Sequence, residues 1–556
     1  MRKHLLRPDA SAKLLPILTV AAILLLTLLL YRGIFNITYM ADDTMDFIQG
    51  RNIIHNEIWY PFIGEGMWRG GPQYYRPLPV ISHGLDAVVF GYWPAPHRAT
   101  QLLFHLVCCA AVYALYRSWF GKERETEASL AALLFALHPV HEYPMWWPGG
   151  SRNDVMCGIF YVTAVLCFTA YVRGRRTRAI VLSAASTAAA LACKEMAYSL
   201  PLICFVVYLI FAEKEAPWRG RLQRAGVAVV PLLAVAAVFM LFRLLRYDVE
   251  STLLGVQFDL GHLRATAHAA IRGLVFPFQW SFREVAQARP MVVIAVVMGI
   301  AALGVTRLHR LRSPIMLVGA AWIALSLLPV LRTISPWALY IPSVGFCLIA
   351  GHVLIPNRSR SGMAAAVLVI ALVASYVVQW EQRRLVWREM DQAADQCMDT
   401  LRADYKNKPF ERALFLDLPG SIGDVPLYML YFSARLPFEM PDGAPQATVL
   451  SMVTFPAGRD QQGVAIEELS PGAWRITAES EKSRFVFPEN PEVLYRFDTG
   501  DVGDTYQHSW GSSEVAAENP DGQPNAVVVR LSGTYQSWAN MPIYYFSKGE
   551  LHRYRE

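Results

Sequence analysis

Charge is scarce in this sequence. Only 17% of its 556 residues are Asp, Glu, Lys or Arg, while 54% are hydrophobic, a balance that excludes an ordinary soluble core and marks a membrane protein. Cysteine is scarce where a disulfide would count. Seven of the eight (Cys108, Cys109, Cys157, Cys167, Cys193, Cys204 and Cys347) fall in apolar runs, where they read as small packing residues, and Cys397 alone follows residue 380. No Cys/His spacing suggests zinc, and no repeat of 20 to 50 residues is visible. The segment LPGSIGD follows a strand-like run, but it is not the GxGxxG fingerprint of a dinucleotide site.

Long apolar runs are abundant. Segments at roughly 14–35, 98–116, 128–141, 154–172, 179–193, 197–212, 225–243, 290–306, 314–331, 339–355 and 362–380 are each long enough, or nearly so, to cross ~30 Å of hydrocarbon as a helix. Eleven crossings are expected, the first retained because it is longer than a signal-peptide core and lacks a clear small-residue cleavage site. With a cytoplasmic amino terminus, the inner segments 1–13, 117–127, 173–178, 213–224, 307–312 and 356–360 carry twenty Lys and Arg. The loop 36–97 carries three, Arg51, Arg69 and Arg76, an asymmetry that fits the positive-inside rule. Merging the short spans 179–193 and 197–212 would reverse the loop holding Lys214, Arg219, Arg221 and Arg224, so they are read as two.

Composition changes beyond Val378. Residues 381–404 read as an amphipathic helix with many charges, followed by strand-like runs ALFLDL, ATVLSMVTF, AWRITA, RFVF and AVVVRL between turn residues. The fold class is therefore a polytopic α-helical membrane domain over 1–380, its first outer loop at 36–97, with a soluble α/β or mainly β extracytoplasmic domain over 381–556.

Ionisable groups at span ends carry the functional signal, because lipid penalises them. YMADDTMDFI, at 39–48, places Asp42, Asp43 and Asp46 just outside the first span. His138, His141 and Glu142 with Arg152 and Asp154, Lys194 with Glu195, Arg332, and Arg76 all fall on the same predicted outer side. Each has a plainer reading. Lys194 and Glu195 would pair with each other at a tight hairpin, Arg152 would be an interfacial anchor, His138 would be a buried histidine on a carbonyl, and the carboxylates would cap a short helix running from Thr44 toward Ile54. His105 and His352 read as structural. Trp59, Tyr60, Trp68, Tyr74, Tyr75, Trp93, Trp146 and Trp147 read mainly as an interfacial belt.

Carboxylates and cations at a lipid–water boundary suit one chemistry well. A sugar on a polyprenyl phosphate keeps its chain in the bilayer and its phosphate among the headgroups, where Lys and Arg at helix ends hold it. The phosphate is already a good leaving group, so an Asp need only take the proton of an incoming hydroxyl, while the cations stabilise charge on the departing phosphate.

The chain resembles the C-type glycosyltransferase membrane fold, and most closely the transmembrane, tetratricopeptide-repeat O-mannosyltransferases and their bacterial relatives. The matching pieces are ADDTMDFI, YYRPLPVISHGLD, LLFHLVCC, LFALHPVHEYPMWWPGGSRNDVM, LACKEMAYSLPL and ALYIPSVGFCLI, in that order over about 310 residues. From about residue 381 the resemblance stops, and no tetratricopeptide repeats follow. The resemblance implies a lipid-phosphate-sugar-dependent transferase with catalytic Asp42 or Asp43, Asp42 being favoured because the leading Asp of the related Asp-Glu motif does the chemistry. It implies that Arg152 and Lys194 bind the donor phosphate. Where the family has Glu-Arg before LYIPS this chain has Pro336-Trp337, and Arg332 is the nearest cation. Asp46, Arg76, His138, His141 and Glu195 are expected to orient the others. Asp42, Asp43, His138 and His141 are residue types able to take a divalent ion, but the resemblance implies none, so no metal or cofactor is expected.

The expected function is transfer of one sugar, with inversion, from a polyprenyl-monophosphate donor to a hydroxyl of an extracytoplasmic acceptor. Protein Ser/Thr and a lipopolysaccharide or O-antigen glycan are both open as acceptor, membrane lipid is the other partner, and no nucleic acid is expected. The location implied is a bacterial inner membrane, amino terminus cytoplasmic and C-terminal domain periplasmic. The inner loops, several only about six residues long, leave no room for a nucleotide-sugar domain. The alternative, a lipid-linked sugar flippase, predicts inverted repeats with broken spans and midplane polar residues, and the sequence displays neither. A scaffold that merely displays the outer domain would leave the one-sided ionisable cluster unexplained.

Overall fold

The computed structural model describes residues 21, 23–38, 43, 59, 62, 75–91, 93–174, 176–212, 217–246, 260–275, 313–331, 336–355, 360–422, 425–426, 446–455, 462–481, 483–486, 501–508, 511–520, 522–532, 541–548 and 550–554. The chain divides into two compact units. The first is Met1–Phe35, Asn52–Met67 and Pro72–Glu381; the second is Asn36–Arg51, Trp68–Gly71 and Gln382–Glu556.

The helices are α1 (Ile23–Asn36), α2 (Pro77–Phe90), α3 (Pro94–Phe120), α4 (Glu125–Leu137), α5 (Glu142–Trp146), α6 (Pro148–Gly174), α7 (Thr177–Leu191), α8 (Leu200–Phe211), α9 (Trp218–Arg246), α10 (Leu260–Val275), α11 (Pro314–Leu327), α12 (Tyr340–Val353) and α13 (Arg360–Asn407). Proline opens α2, α3 and α11, where the absent N–H is no loss. Glycine follows α3 at Gly121, φ 80°, a left-handed position that favours a residue without Cβ. Among the described residues, α3, α6, α9 up to Leu245 and α13 from Gly362 are long and apolar enough to cross a membrane, and six further apolar helices are shorter. The expected span at 290–306 lies outside the described residues, as does the first half of the span at 14–35.

Two boundaries differ from the sequence reading. The run at 128–141 stops being helical at Leu137, because Pro139 forces the chain into a short 3-10 turn, Pro139–His141. At the other end of the unit, no helix break separates 380 from 381. Neither Gly nor Pro occurs between Met363 and Lys408, so one helix, α13, runs for 48 residues. The loop 36–97 also contains a helix of its own, α2, which was not expected.

Small residues let helices approach closely. A Cβ on Gly345 of α12 would lie 2.6 Å from the Gly319 carbonyl oxygen of α11, the kind of contact that drives helix association where lipid removes the hydrophobic incentive. Beside it the Trp322 indole N–H donates to the Ile341 carbonyl at 2.9 Å. Leu and Val side chains such as Val227, Val238, Leu245, Val367 and Ile370 face outward, as a lipid-facing surface requires.

In the second unit the strands are β1 (Arg412–Phe415), β2 (Leu418–Ile422), β3 (Val425–Pro426), β4 (Gln446–Val449), β5 (Met452–Phe455), β6 (Val464–Ser470), β7 (Ala473–Ala478), β8 (Arg484–Val486), β9 (Thr505–His508), β10 (Gly511–Glu518), β11 (Pro524–Leu531), β12 (Ile543–Ser547) and β13 (Glu550–Arg553). They form sheets of order β13-β12-β1-β4, β3-β2-β5-β8 and β6-β7-β11-β10-β9. β1 lies parallel to both neighbours, with Leu414 opposite Ile543 and Thr448. The third sheet is antiparallel throughout. The run ALFLDL, one strand by pattern, is split between the first two sheets at Leu416-Asp417. Leu414, Phe415, Trp474, Val527, Val529, Tyr544 and Phe546 are fully buried.

Candidate functional site

Two buried ionic clusters occupy the first unit, both built from helix ends. In the first, Arg152 in the opening turns of α6 is fully buried. Its Nη1 donates to Asp86 Oδ2 of α2 at 2.6 Å and to Ser82 Oγ at 3.2 Å, Nη2 to the His97 carbonyl at 2.8 Å, and Nε to Gln101 Oε1 at 3.3 Å. Thr100 Oγ1 donates to the other Asp86 oxygen at 2.9 Å, and Gln101 Nε2 reaches the Pro144 carbonyl at 2.6 Å. Buried Arg98 closes the group by donating to the Trp146 carbonyl. Nothing exposes this guanidinium, so Arg152 is a buried residue and not the interfacial anchor of the plainer reading. Its donors are directed at Asp86 and its neighbours.

The second cluster joins α6, the turn between α7 and α8, the residue before α2 and the last turn of α9. Lys194 Nζ sits 2.6 Å from each Asp154 carboxylate oxygen. Glu195, the next residue, faces away into a different pair, with Arg76 Nη2 2.8 Å from Oε2 and Arg243 Nη1 3.4 Å from Oε1. The expected Lys194–Glu195 pair is therefore replaced by two crossed pairs. The 3-10 turn Glu195–Ser199 makes this possible, since extended Lys194 sends its side chain to α6 while Glu195 points elsewhere. Lys194 and Asp154 are almost wholly enclosed, with 7% and 0% of their side chains exposed; Arg76, Arg243 and Glu195 retain 13%, 12% and 21%. Arg76 and Arg243 thus share the Glu195 carboxylate at the more open end of the cluster, while Lys194 is enclosed with Asp154.

Tyr75 fixes the approach to this cluster by packing on Phe239 and Phe242 of α9, at ring distances of 6.4 and 4.8 Å. Sequence reasoning missed Arg243 because it falls at the end of an apolar span. Its signal was the run LFRLLR, in which an ionisable residue at a span end already asks for a partner.

His138, His141 and His105 belong to neither cluster. His138 accepts the Val140 N–H on Nδ1 and donates from Nε2 to the Leu274 carbonyl at 3.0 Å, so it is a neutral histidine bonded to a carbonyl. His141 meets Ser343 Oγ at 2.9 Å and lies against Phe135 and Tyr340. His105 bridges the Tyr340 hydroxyl and the Ala136 carbonyl. Among the described residues no group of three or more His, Cys, Asp or Glu side chains is placed to hold a metal ion. Of the expected aromatic belt, Trp93 and Trp59 are exposed, but Trp146 and Trp147 are buried.

Asp43 is helical, 4% exposed, and belongs to the second unit. Asp42, Asp46 and Arg332 lie outside the described residues. The predicted residues that the fold brings together are thus Arg76, Lys194 and Glu195, joined by Asp154 and Arg243.

Residues 85–244, which contain most of both clusters, match the family described as Dolichyl-phosphate-mannose-protein mannosyltransferase. Along a longer stretch the chain is similar to Protein O-mannosyl-transferase TMTC3 of Mus musculus, 22% identical over 391 residues, 61% of this chain and 41% of that one. It is also similar to Protein O-mannosyl-transferase Tmtc1 of Drosophila melanogaster, 26% identical over 189 residues, 32% of this chain and 21% of that one. The chain spans less than half the length of these curated relatives. Among solved structures it is similar to apo ArnT from Cupriavidus metallidurans, at 13% identity and a TM-score of 0.47 over 78% of this chain and 85% of that one. The archaeal oligosaccharyltransferase AglB from Archaeoglobus fulgidus, in complex with an inhibitory peptide and a dolichol-phosphate, is similar at 12% identity and a TM-score of 0.42, covering 94% and 81%.

Proposed function

We propose that this protein is an integral membrane glycosyltransferase of the C-type fold. It moves one sugar from a polyprenyl-monophosphate carrier to a hydroxyl of an extracytoplasmic protein or glycan and inverts the anomeric centre. In this reading the setting is a bacterial inner membrane with a periplasmic second unit, an orientation in line with the loop charges. The observation that carries the reading is the meeting of two arginines, Arg76 and Arg243, on one carboxylate, Glu195, beside Lys194. Two arginines sharing one carboxylate, partly open to solvent, can trade that carboxylate for the oxygens of a phosphate monoester by bidentate contact. The match over 85–244 to a dolichyl-phosphate-mannose-dependent family supports the same donor chemistry.

Asp42 is the proposed base and Asp43 its alternate, with Asp46 orienting. Arg332 is a further phosphate ligand in this scheme, while Arg152 holds the first turn of α6 against α2. The acceptor's oxygen attacks the anomeric carbon, its proton passes to the aspartate, and the carrier leaves as polyprenyl phosphate stabilised by the cations.

The purified protein is incubated with a panel of polyprenyl-phosphate sugars and with peptide and glycan acceptors, and transfer is quantified. Arg76→Ala and Arg243→Ala raise the KM for the carrier about ten- to a hundredfold, the range for losing a charge-assisted hydrogen bond. Asp42→Asn abolishes turnover without that change. Undiminished carrier use in both arginine variants would remove the phosphate site, and undiminished transfer by both Asp42→Asn and Asp43→Asn would remove the base.

A further inference from the structure

The end of the first unit remote from Lys194 and Glu195 has its own concentration of arginine. Residues 173–178, which lead into α7, read RGRRTR, and α9 opens at 218–224 as WRGRLQR. Helices α7 and α9 pack on each other. Because Arg243, near the end of α9, meets Glu195 just beyond the end of α7, the two run in the same direction and open at the same end. Arg224 lies 19 residues before Arg243, roughly 28 Å of helix. The 15 residues of α7 cover roughly 21 Å before residues 192–195 complete the distance, so Arg224 stands level with the first turn of α7 to within about a turn. Neither first turn contains Asp or Glu; Glu213 and Glu215, in the link before α9, lie outside the described residues. The residue before α7, Arg176, is extended and its side chain makes no capping hydrogen bond, so the helix opens without an acceptor of that kind for its first amides. Arg178 and Arg224 are exposed. The Arg221 guanidinium lies 5.8 Å from the ring centre of Trp218, and among the described residues its buried Nε has no hydrogen-bond partner. One turn beyond the arginines the surface becomes apolar: Leu182, four residues after Arg178, and Val227, three after Arg224, share their faces and are more than half exposed, as is Trp218.

We propose that the paired openings of α7 and α9 form a binding site for an anionic glycerophospholipid. Its phosphate takes the guanidinium groups of Arg178 and Arg224, charge-assisted contacts that a planar guanidinium makes two at a time. The positive ends of two parallel helices, adjacent at this level, add to the attraction. Its acyl chains lie along Leu182 and Val227, and Trp218 stands at headgroup level, where tryptophan is enriched. The apolar surface directly beyond the arginines commits the site to a lipid, since a free phosphate ion would use the cationic half alone. A zwitterionic headgroup brings its own ammonium against the arginines and is disfavoured. Arg76, Glu195 and Arg243 stand at the other end of α7 and α9, so this site is separate from the donor site and holds whether or not the protein is a transferase.

The full-length protein in a zwitterionic detergent is titrated with phosphatidylglycerol, or with phosphatidylcholine of the same acyl chains, and bound lipid is counted by native mass spectrometry. Wild type binds phosphatidylglycerol about tenfold or more tighter than phosphatidylcholine. Arg178→Gln and Arg224→Gln each weaken phosphatidylglycerol about fivefold, and the double variant weakens it roughly thirtyfold, with phosphatidylcholine unchanged. The control is Lys122→Gln with Arg124→Gln, which removes two charges from the link after α3. That link is at the same end of the bundle, since Arg173 near the end of α6 donates to the Trp119 carbonyl of α3 at 2.8 Å. The control stays within about twofold of wild type, because a bound phosphate is screened from charges more than a Debye length away. Inorganic phosphate at the concentration of the lipid displaces none of it. Equal affinity for the two lipids, or an equal loss in the control, would mean general attraction to a basic surface and would overturn the proposal. Displacement by inorganic phosphate would overturn it too, leaving an anion site in which acyl chains play no part.

Discussion

Asp417 occupies the link between β1 and β2 with its side chain fully buried. Oδ1 accepts the Phe546 N–H at 3.1 Å, and among the described residues Oδ2 has no hydrogen-bond partner. Burial pushes this carboxyl up to about 8, the single backbone donor pulling back only in part. A raised folded-state value means that the native protein holds a proton the unfolded chain releases near pH 4. Stability is therefore present in full below about pH 4, falls as pH rises, and levels off above about 8. The expected slope across that window approaches about 1.4 kcal/mol per pH unit. Hydrogen exchange at the Phe546 amide, corrected for its intrinsic rate, measures it, and Asp417→Asn flattens the dependence. At the same scale, Arg152 illustrates what a motif match leaves out. The residue type and its place after the HP segment were legible, but four separate acceptors decide what the guanidinium does, and all four belong to α2 and α3.

Helix α12 depends on a position where no side chain is tolerated. The space between Gly345 and Gly319 is already at contact distance for backbone, so Gly345→Leu must push α11 and α12 apart and break the Trp322–Ile341 bond. A loss of about 1–3 kcal/mol follows from overpacking, read as a lower midpoint of thermal unfolding in detergent; Gly226→Leu, at a site with open space around it, leaves the midpoint within a degree or two. Elements were the best-read level of this sequence. Apolar runs at 98–116, 154–172 and 225–243 correspond to α3, α6 and α9 because a helix in lipid must be continuously apolar. Boundaries were less legible. Pro139 ended α4 early through a local steric rule available in the sequence, whereas the unbroken passage of α13 beyond 380 was hidden by a change in polarity that no backbone break accompanies.

The distribution of Lys and Arg predicts an orientation for the whole molecule. If loop charge sets it, then Trp93 before α3 and Lys122 after it face opposite compartments, separated by a helix of about 40 Å. Single variants Trp93→Cys and Lys122→Cys are expected to react with a membrane-impermeant maleimide from opposite sides of sealed vesicles. The native cysteines give little background, since seven of the eight are buried and Cys167 is partly covered. What the sequence left illegible at this level was the pairing of distant partners: Glu195 with Arg76 and Arg243, Thr38 with Asp391, β1 with β12. Each needs the fold to bring together residues that no local pattern connects. The last of these has a temporal side. Because β1 lies between β4 and β12, and Asp417 waits for an N–H 129 residues later, a nascent chain made at about 5–20 residues per second exposes one bare strand edge for roughly 6–25 s. During that interval the growing polypeptide offers a template to any extended neighbour, so a chaperone on the side where this segment emerges has a defined stretch, Arg412–Phe415, to shield.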